Sequence, residues 1–66
     1  MNIIVNGEPM QVAEDINAAE LLDLLGLANK RLALEINRQI VPRSAYARQR
    51  LHDNDRIEIV HAIGGG

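Results

Sequence analysis

Asp53-Asn54-Asp55-Arg56-Ile57-Glu58-Ile59-Val60-His61-Ala62-Ile63-Gly64-Gly65-Gly66 closes the 66-residue chain. The leading Asp-Asn-Asp is a turn cluster, because short polar side chains bond their own backbone and tolerate left-handed φ. Ile57 and Ile59 alternate with Glu58, the period of a strand with one buried face, so residues 56–60 read as the last strand. His61, Ala62 and Ile63 lead from it into three glycines. Glycine lacks a Cβ and enters φ/ψ regions closed to other residues, so a terminal run of it makes a thin, mobile thread. Residues 63–66 would reach roughly 13 Å when extended, at about 3.3 Å each. A thread carrying a free carboxylate can enter a partner's active site while the body of the domain stays outside.

Upstream of that strand, the chain punctuates itself. Met1 to Asn6, with the β-branched Ile3, Ile4 and Val5, reads as the first strand. Asn6-Gly7 is a hairpin signal, since both residues tolerate positive φ. Pro9 is expected to end the turn, and Met10 to Val12 to form a short return strand at an edge. Asn17 is placed as a helix N-cap, with Glu20 three residues on completing a capping box and Ile16 and Leu21 positioned for a hydrophobic staple. Leu21, Leu22, Leu24 and Leu25 are read as one broad apolar face, and Gly26 as the C′ residue that ends the helix. Arg31 to Ile36 alternates as a half-buried strand, Asn37-Arg38 turns it, and Gln39-Ile40-Val41 pairs back until Pro42 stops the ladder. Ser44 is read as the cap of a single helical turn through Ala47, and Leu51 as a core plug beneath it. The order is ββαβββ: an α+β fold of the β-grasp kind, a mixed sheet with one main helix on one face. First and last strands should lie parallel and adjacent, joined by a right-handed crossover. Residues 1–63 form the domain and residues 64–66 a flexible tail.

Composition narrows the chemistry. A chain of 66 residues is one small domain, which buries only about 60% of its unfolded surface. There is no cysteine, so the protein holds no disulfide and no thiol on which to carry sulfur, acyl groups or redox equivalents. Tyr46 is the one aromatic residue, so the core must be aliphatic. A net charge of −2 argues against nucleic acid. No apolar run approaches the roughly 18 residues of a membrane span, and no signal peptide is legible, which together imply a cytoplasmic protein.

Side-chain catalysis finds little support. His52 and His61 read as surface histidines, and Ser44 and Tyr46 have no base at a recognisable spacing. No nucleotide-binding loop is present, and Asp53 and Asp55 lack the glycine and glutamate of a calcium loop, so no metal site is expected. The arginines at 38, 43, 48, 50 and 56 follow an acidic stretch of Glu14, Asp15, Glu20 and Asp23. They form either solvated surface or a face that steers a partner. What remains is the α-carboxylate of Gly66. Ionised at neutral pH, it is a poor electrophile until an adenylate leaving group is installed. With no ATP site of its own, the chain would be a protein substrate rather than an enzyme.

At this point the chain resembles the ThiS family of sulfur carriers in thiamine (thiazole) biosynthesis, over essentially its whole length. The resemblance lies in Asn6-Gly7-Glu8, Leu21-Leu22, Leu34-Glu35-Ile36-Asn37, Ile40-Val41-Pro42-Arg43-Ser44, Asp53 through Val60, and the final Gly65-Gly66. Asn54 stands where the family commonly has glycine, and asparagine also tolerates the left-handed region. The resemblance implies a ubiquitin-like β-grasp. It implies that a ThiF-type enzyme, using ATP and magnesium, adenylates Gly66. A cysteine desulfurase relay then supplies sulfur, and the resulting thiocarboxylate donates it to thiazole synthase, ThiG. Gly66 is then the modified residue, with Gly65 and Gly64 needed for partner access. Ile63, Ala62 and Val60 are candidate contacts, Val60 being equally open to a place in the core. The rival readings are the small subunit of molybdopterin synthase, a ubiquitin-like modifier joined to lysines, and a non-covalent binding module with an inert tail.

Overall fold

β5 (Arg56–His61) is the middle strand of a five-stranded sheet. The computed structural model describes residues 1–61. Strands β1 (Asn2–Val5), β2 (Glu8–Gln11), β3 (Leu32–Ile36) and β4 (Gln39–Val41) complete the sheet in the order β2-β1-β5-β3-β4. β1 runs parallel to β5, with Ile4 opposite Arg56 and Val5 opposite Ile57. β3 runs antiparallel to β5 from Leu32 opposite His61 to Ile36 opposite Ile57. The first and last strands are thus parallel and adjacent, as expected from the ββαβββ order.

Two tight turns make the hairpins. Asn6 and Gly7 have φ of 50° and 83°, and Asn37 and Arg38 have φ of 50° and 69°. Paired positive φ suits a two-residue loop, because its twist matches that of the flanking strands. β2 begins at Glu8 and takes Pro9 into the ladder opposite Ile4, rather than starting after it at Met10. Proline has no N–H to donate, and β2 is an edge strand, where that loss is tolerated.

α1 (Ala18–Leu24) carries the expected capping box. The Glu20 N–H donates to Asn17 Oδ1 at 2.8 Å, and the Asn17 N–H to Glu20 Oε1 at 3.0 Å. Gly26 follows with φ 73°, the left-handed residue that ends the helix. Only part of the proposed leucine face is buried. Leu21 and Leu22 are, and Leu25 packs against the core, but Leu24 is 64% exposed, because it lies about 60° to the other side of Leu21 from the arc that Leu21, Leu25 and Leu22 share. A second correction concerns the segment after Pro42. It is a 3-10 helix over Arg43–Arg48 with Pro42 at its N-cap and no side-chain cap bond, so Ser44 lies inside it and caps nothing.

The core lies between α1 and one sheet face. Ile3, Leu34, Ile36, Val41, Ile57 and Ile59 from the strands meet Ala18, Leu21 and Leu22 from the helix, and Ile16 and Leu51 close the edges. Each fully buried aliphatic side chain contributes about 1.5–3 kcal/mol. That contribution matters in a domain this small.

Candidate functional site at the end of the central strand

β5 delivers the chain to the C-terminal segment, so the groups that hold its last residues define the site. On the β3 side, backbone pairing continues through Leu32 opposite His61. On the β1 side, backbone pairing stops at the Asn6 N–H, which donates to Ile57 O at 2.8 Å. The Asn6 side chain takes over there. Its Oδ1 accepts from the Ile59 N–H at 2.8 Å and its Nδ2 donates to Ile59 O at 3.3 Å. A carboxamide presents one acceptor and one donor side by side, as a peptide group does, so Asn6 replaces a strand residue at this point.

The sheet face away from α1 is the surface next to this strand end. Val60 projects from it, 56% exposed, and so lies outside the core. It stands opposite the exposed Ala33. Ile40 on β4, 73% exposed, adds apolar surface to the same face, opposite Glu35. Of the candidate contacts read from sequence, Val60 is therefore available to a partner. Ala62, Ile63, Gly64, Gly65 and Gly66 lie outside the described residues.

The arginines are dispersed over the body. Arg38 and Arg56 line a hollow of about 290 Å³ with Asn37 and Glu58. Arg43 lines another, of about 280 Å³, with Lys30, Ser44, Tyr46 and Leu22. Arg50 donates to the Asp15 carbonyl at 2.9 Å. Both histidines are exposed, and His52 stands 3.9 Å from Asp55. Among the described residues there is no cluster of three His, Asp or Glu side chains that could hold a metal, and no helix long and apolar enough to cross a membrane.

Sequence reasoning treated Asn6, Asn37 and Asp55 as turn residues only. Asp55 is buried: its carboxylate accepts from Asn37 Nδ2 at 3.0 Å and from the His52 N–H at 2.8 Å. The Asn37 Oδ1 in turn accepts from the Arg56 N–H at 3.0 Å. An asparagine opening each two-residue turn was the one available hint; the strand each would clasp is distant in sequence.

Known proteins resemble this chain in sequence and in fold. The sequence model of the ThiS family matches residues 3–66. Sulfur carrier protein ThiS of Escherichia coli (strain K12) is 39% identical over 66 residues, the whole of both chains. Thiazole synthase of Paramagnetospirillum magneticum is also 39% identical over 66 residues, but the chain spans only 20% of that protein's length. The crystal structure of the thiamine biosynthesis protein ThiS from Geobacter metallireducens superimposes with a TM-score of 0.86 at 36% identity, covering all of both chains.

Proposed function

The chain belongs to the ThiS family, and from that premise we propose that it is a sulfur carrier of thiamine biosynthesis that bears its cargo as a thiocarboxylate at Gly66. The observation that carries this reading is the extent of the match, which runs through residue 66 and includes the glycine terminus. The composition agrees with it. Without a cysteine, the chain has no side-chain thiol for sulfur, which leaves the backbone terminus as the attachment point.

The chemistry follows from the weakness of a carboxylate as an electrophile. A carboxylate oxygen of Gly66 attacks the α-phosphorus of ATP and pyrophosphate leaves, the step assigned to a ThiF-type enzyme with magnesium. A cysteine desulfurase relay delivers sulfur as a persulfide; a thiol reduces it, becoming a disulfide, and the sulfide released then adds to the carbonyl carbon. The bond to AMP breaks, and a thiocarboxylate remains. ATP and magnesium belong to the partner, and the chain acts as substrate and carrier. Residues 1–63 are the body that partners recognise, and residues 64–66 the segment admitted to their active sites. Glycine suits that segment because no side chain obstructs a nucleophile at the last carbonyl.

Thiazole synthase, ThiG, is the proposed acceptor. Support comes from a thiazole synthase whose own length includes a stretch similar to this entire chain, as expected if carrier and synthase work in contact. Val60, together with Ala62 and Ile63, forms the proposed apolar contact beside the tail, in a reaction sequence placed in the cytoplasm.

Intact-mass spectrometry after incubation with the adenylating enzyme, ATP and a sulfur source tests the proposal. The expected product has one terminal oxygen replaced by sulfur. A ladder of lysine conjugates would instead identify a protein modifier, and an unmodified mass under sulfur-replete conditions would identify an inert tail.

A further inference from the structure

β5 is clasped by two asparagines, one at each end. Both open a two-residue turn with φ 50°. Asn37 holds the start of the strand: its N–H donates to Arg56 O at 2.8 Å and its Oδ1 accepts from the Arg56 N–H. Asn6 holds the far end through Ile59. Among the described residues, Ile59 is the last of β5 to be bonded on the β1 side. The left-handed backbone of Asn6 and Gly7 turns β1 away at that point, so no strand residue is left to pair further along. Asn6 therefore both ends the pairing and grips the strand where it ends.

We propose that Asn6 is a positioning residue for partner docking: by fastening both polar groups of Ile59, it keeps the end of β5, with the exposed Val60 that follows, in the conformation a partner binds. The inference rests on the carrier reading above. Its physical basis is preorganisation: a strand end that is already held does not have to be ordered when the partner binds. The β3 ladder alone leaves the other edge of β5 unheld here.

Asn6→Gly and Asn37→Gly make a matched pair. Glycine accepts the positive φ of either turn, so each change removes the clasp without straining the backbone. Asn37→Gly also removes the bond to Asp55 and so perturbs the fold at least as much. The measurements are the urea midpoint, hydrogen exchange of the Ile59 amide, and pyrophosphate exchange with the adenylating enzyme at a temperature where every variant is folded. Both glycine variants should lose stability. Asn6→Gly alone should expose the Ile59 amide to faster exchange and lower kcat/KM about tenfold, through KM, because the loosened strand end must be ordered on binding. Asn6→Asp keeps the acceptor for the Ile59 N–H, and should recover part of that loss. Equal KM values for Asn6→Gly and Asn37→Gly would overturn the inference while leaving the carrier reading intact. A wild-type chain that supports no pyrophosphate exchange would overturn both. If Asn6→Gly does not fold, Asn6→Ser decides: its side chain is too short to bond both polar groups of Ile59, and an unchanged KM in that variant overturns the inference.

Discussion

Asn37 and Asp55 join two turns at one end of the sheet: the Asn37 carboxamide donates to Asp55 Oδ1 at 3.0 Å, linking the β3–β4 turn to the turn that precedes β5. Asp55 is 8% exposed, and both groups hydrogen-bonded to its carboxylate, Asn37 Nδ2 and the His52 N–H, are donors. Asp55→Asn would aim an amide donor at one of them, leaving a partly buried group without a partner. The expected loss of stability is about 1–3 kcal/mol, read as a lower urea midpoint with an unchanged slope. A midpoint that does not move would mean that the carboxylate has no structural role.

Leu34 is 1% exposed at the centre of β3, paired across to Ile59 and Val41. Leu34→Ala removes buried methyl groups and leaves a void between sheet and helix, at an expected cost of about 2–5 kcal/mol. Against the roughly 5–15 kcal/mol total typical of folded domains, much of the population should unfold in mild denaturant. Chemical denaturation monitored by far-ultraviolet circular dichroism gives the answer, and retention of the wild-type midpoint would place Leu34 outside the core.

Val60 behaves in the opposite way. It points away from the core, so Val60→Lys should change stability by no more than about 1 kcal/mol, the span of strand propensity. Its effect should appear in complexes: affinity for the adenylating enzyme or for thiazole synthase is expected to fall at least about tenfold, equivalent to about 1.4 kcal/mol. Calorimetric titration with each partner checks this, and wild-type affinity for both would remove Val60 from the contact surface.

Deleting Gly66 should leave the fold as it is, because among the described residues the buried core runs from Ile3 to Ile59. Adenylation should be lost entirely, since a penultimate glycine would present its carboxylate one residue short. Pyrophosphate exchange that survives in the truncated chain would show that the enzyme does not select this terminus.

Much of the architecture is legible in the sequence because its signals are local. The capping box needs only Asn17 and Glu20, three residues apart, and the hairpin turns need only Asn6-Gly7 and Asn37-Arg38. Inward Ile57 and Ile59 follow from a period of two. Local pattern misleads where burial depends on what stands opposite. Pro9 enters a strand because that strand is at an edge, and Leu24 faces solvent because nothing covers its side of a short helix.

The sequence alone determined the ββαβββ order, the aliphatic core and a terminus of three glycines in a chain without cysteine, each set by backbone periodicity or by side-chain chemistry at single positions. Only the tertiary structure decided which groups hold the strand leading to that terminus. The Asn6 and Ile59 pair is separated by 53 residues, and Asn37 and Arg56 by 19. Such bonds form only once β1, β3 and β5 lie side by side, and no short window of sequence encodes that proximity. Val60 likewise became a surface residue only when the twist and pairing of β5 assigned its side chain to the face away from the helix.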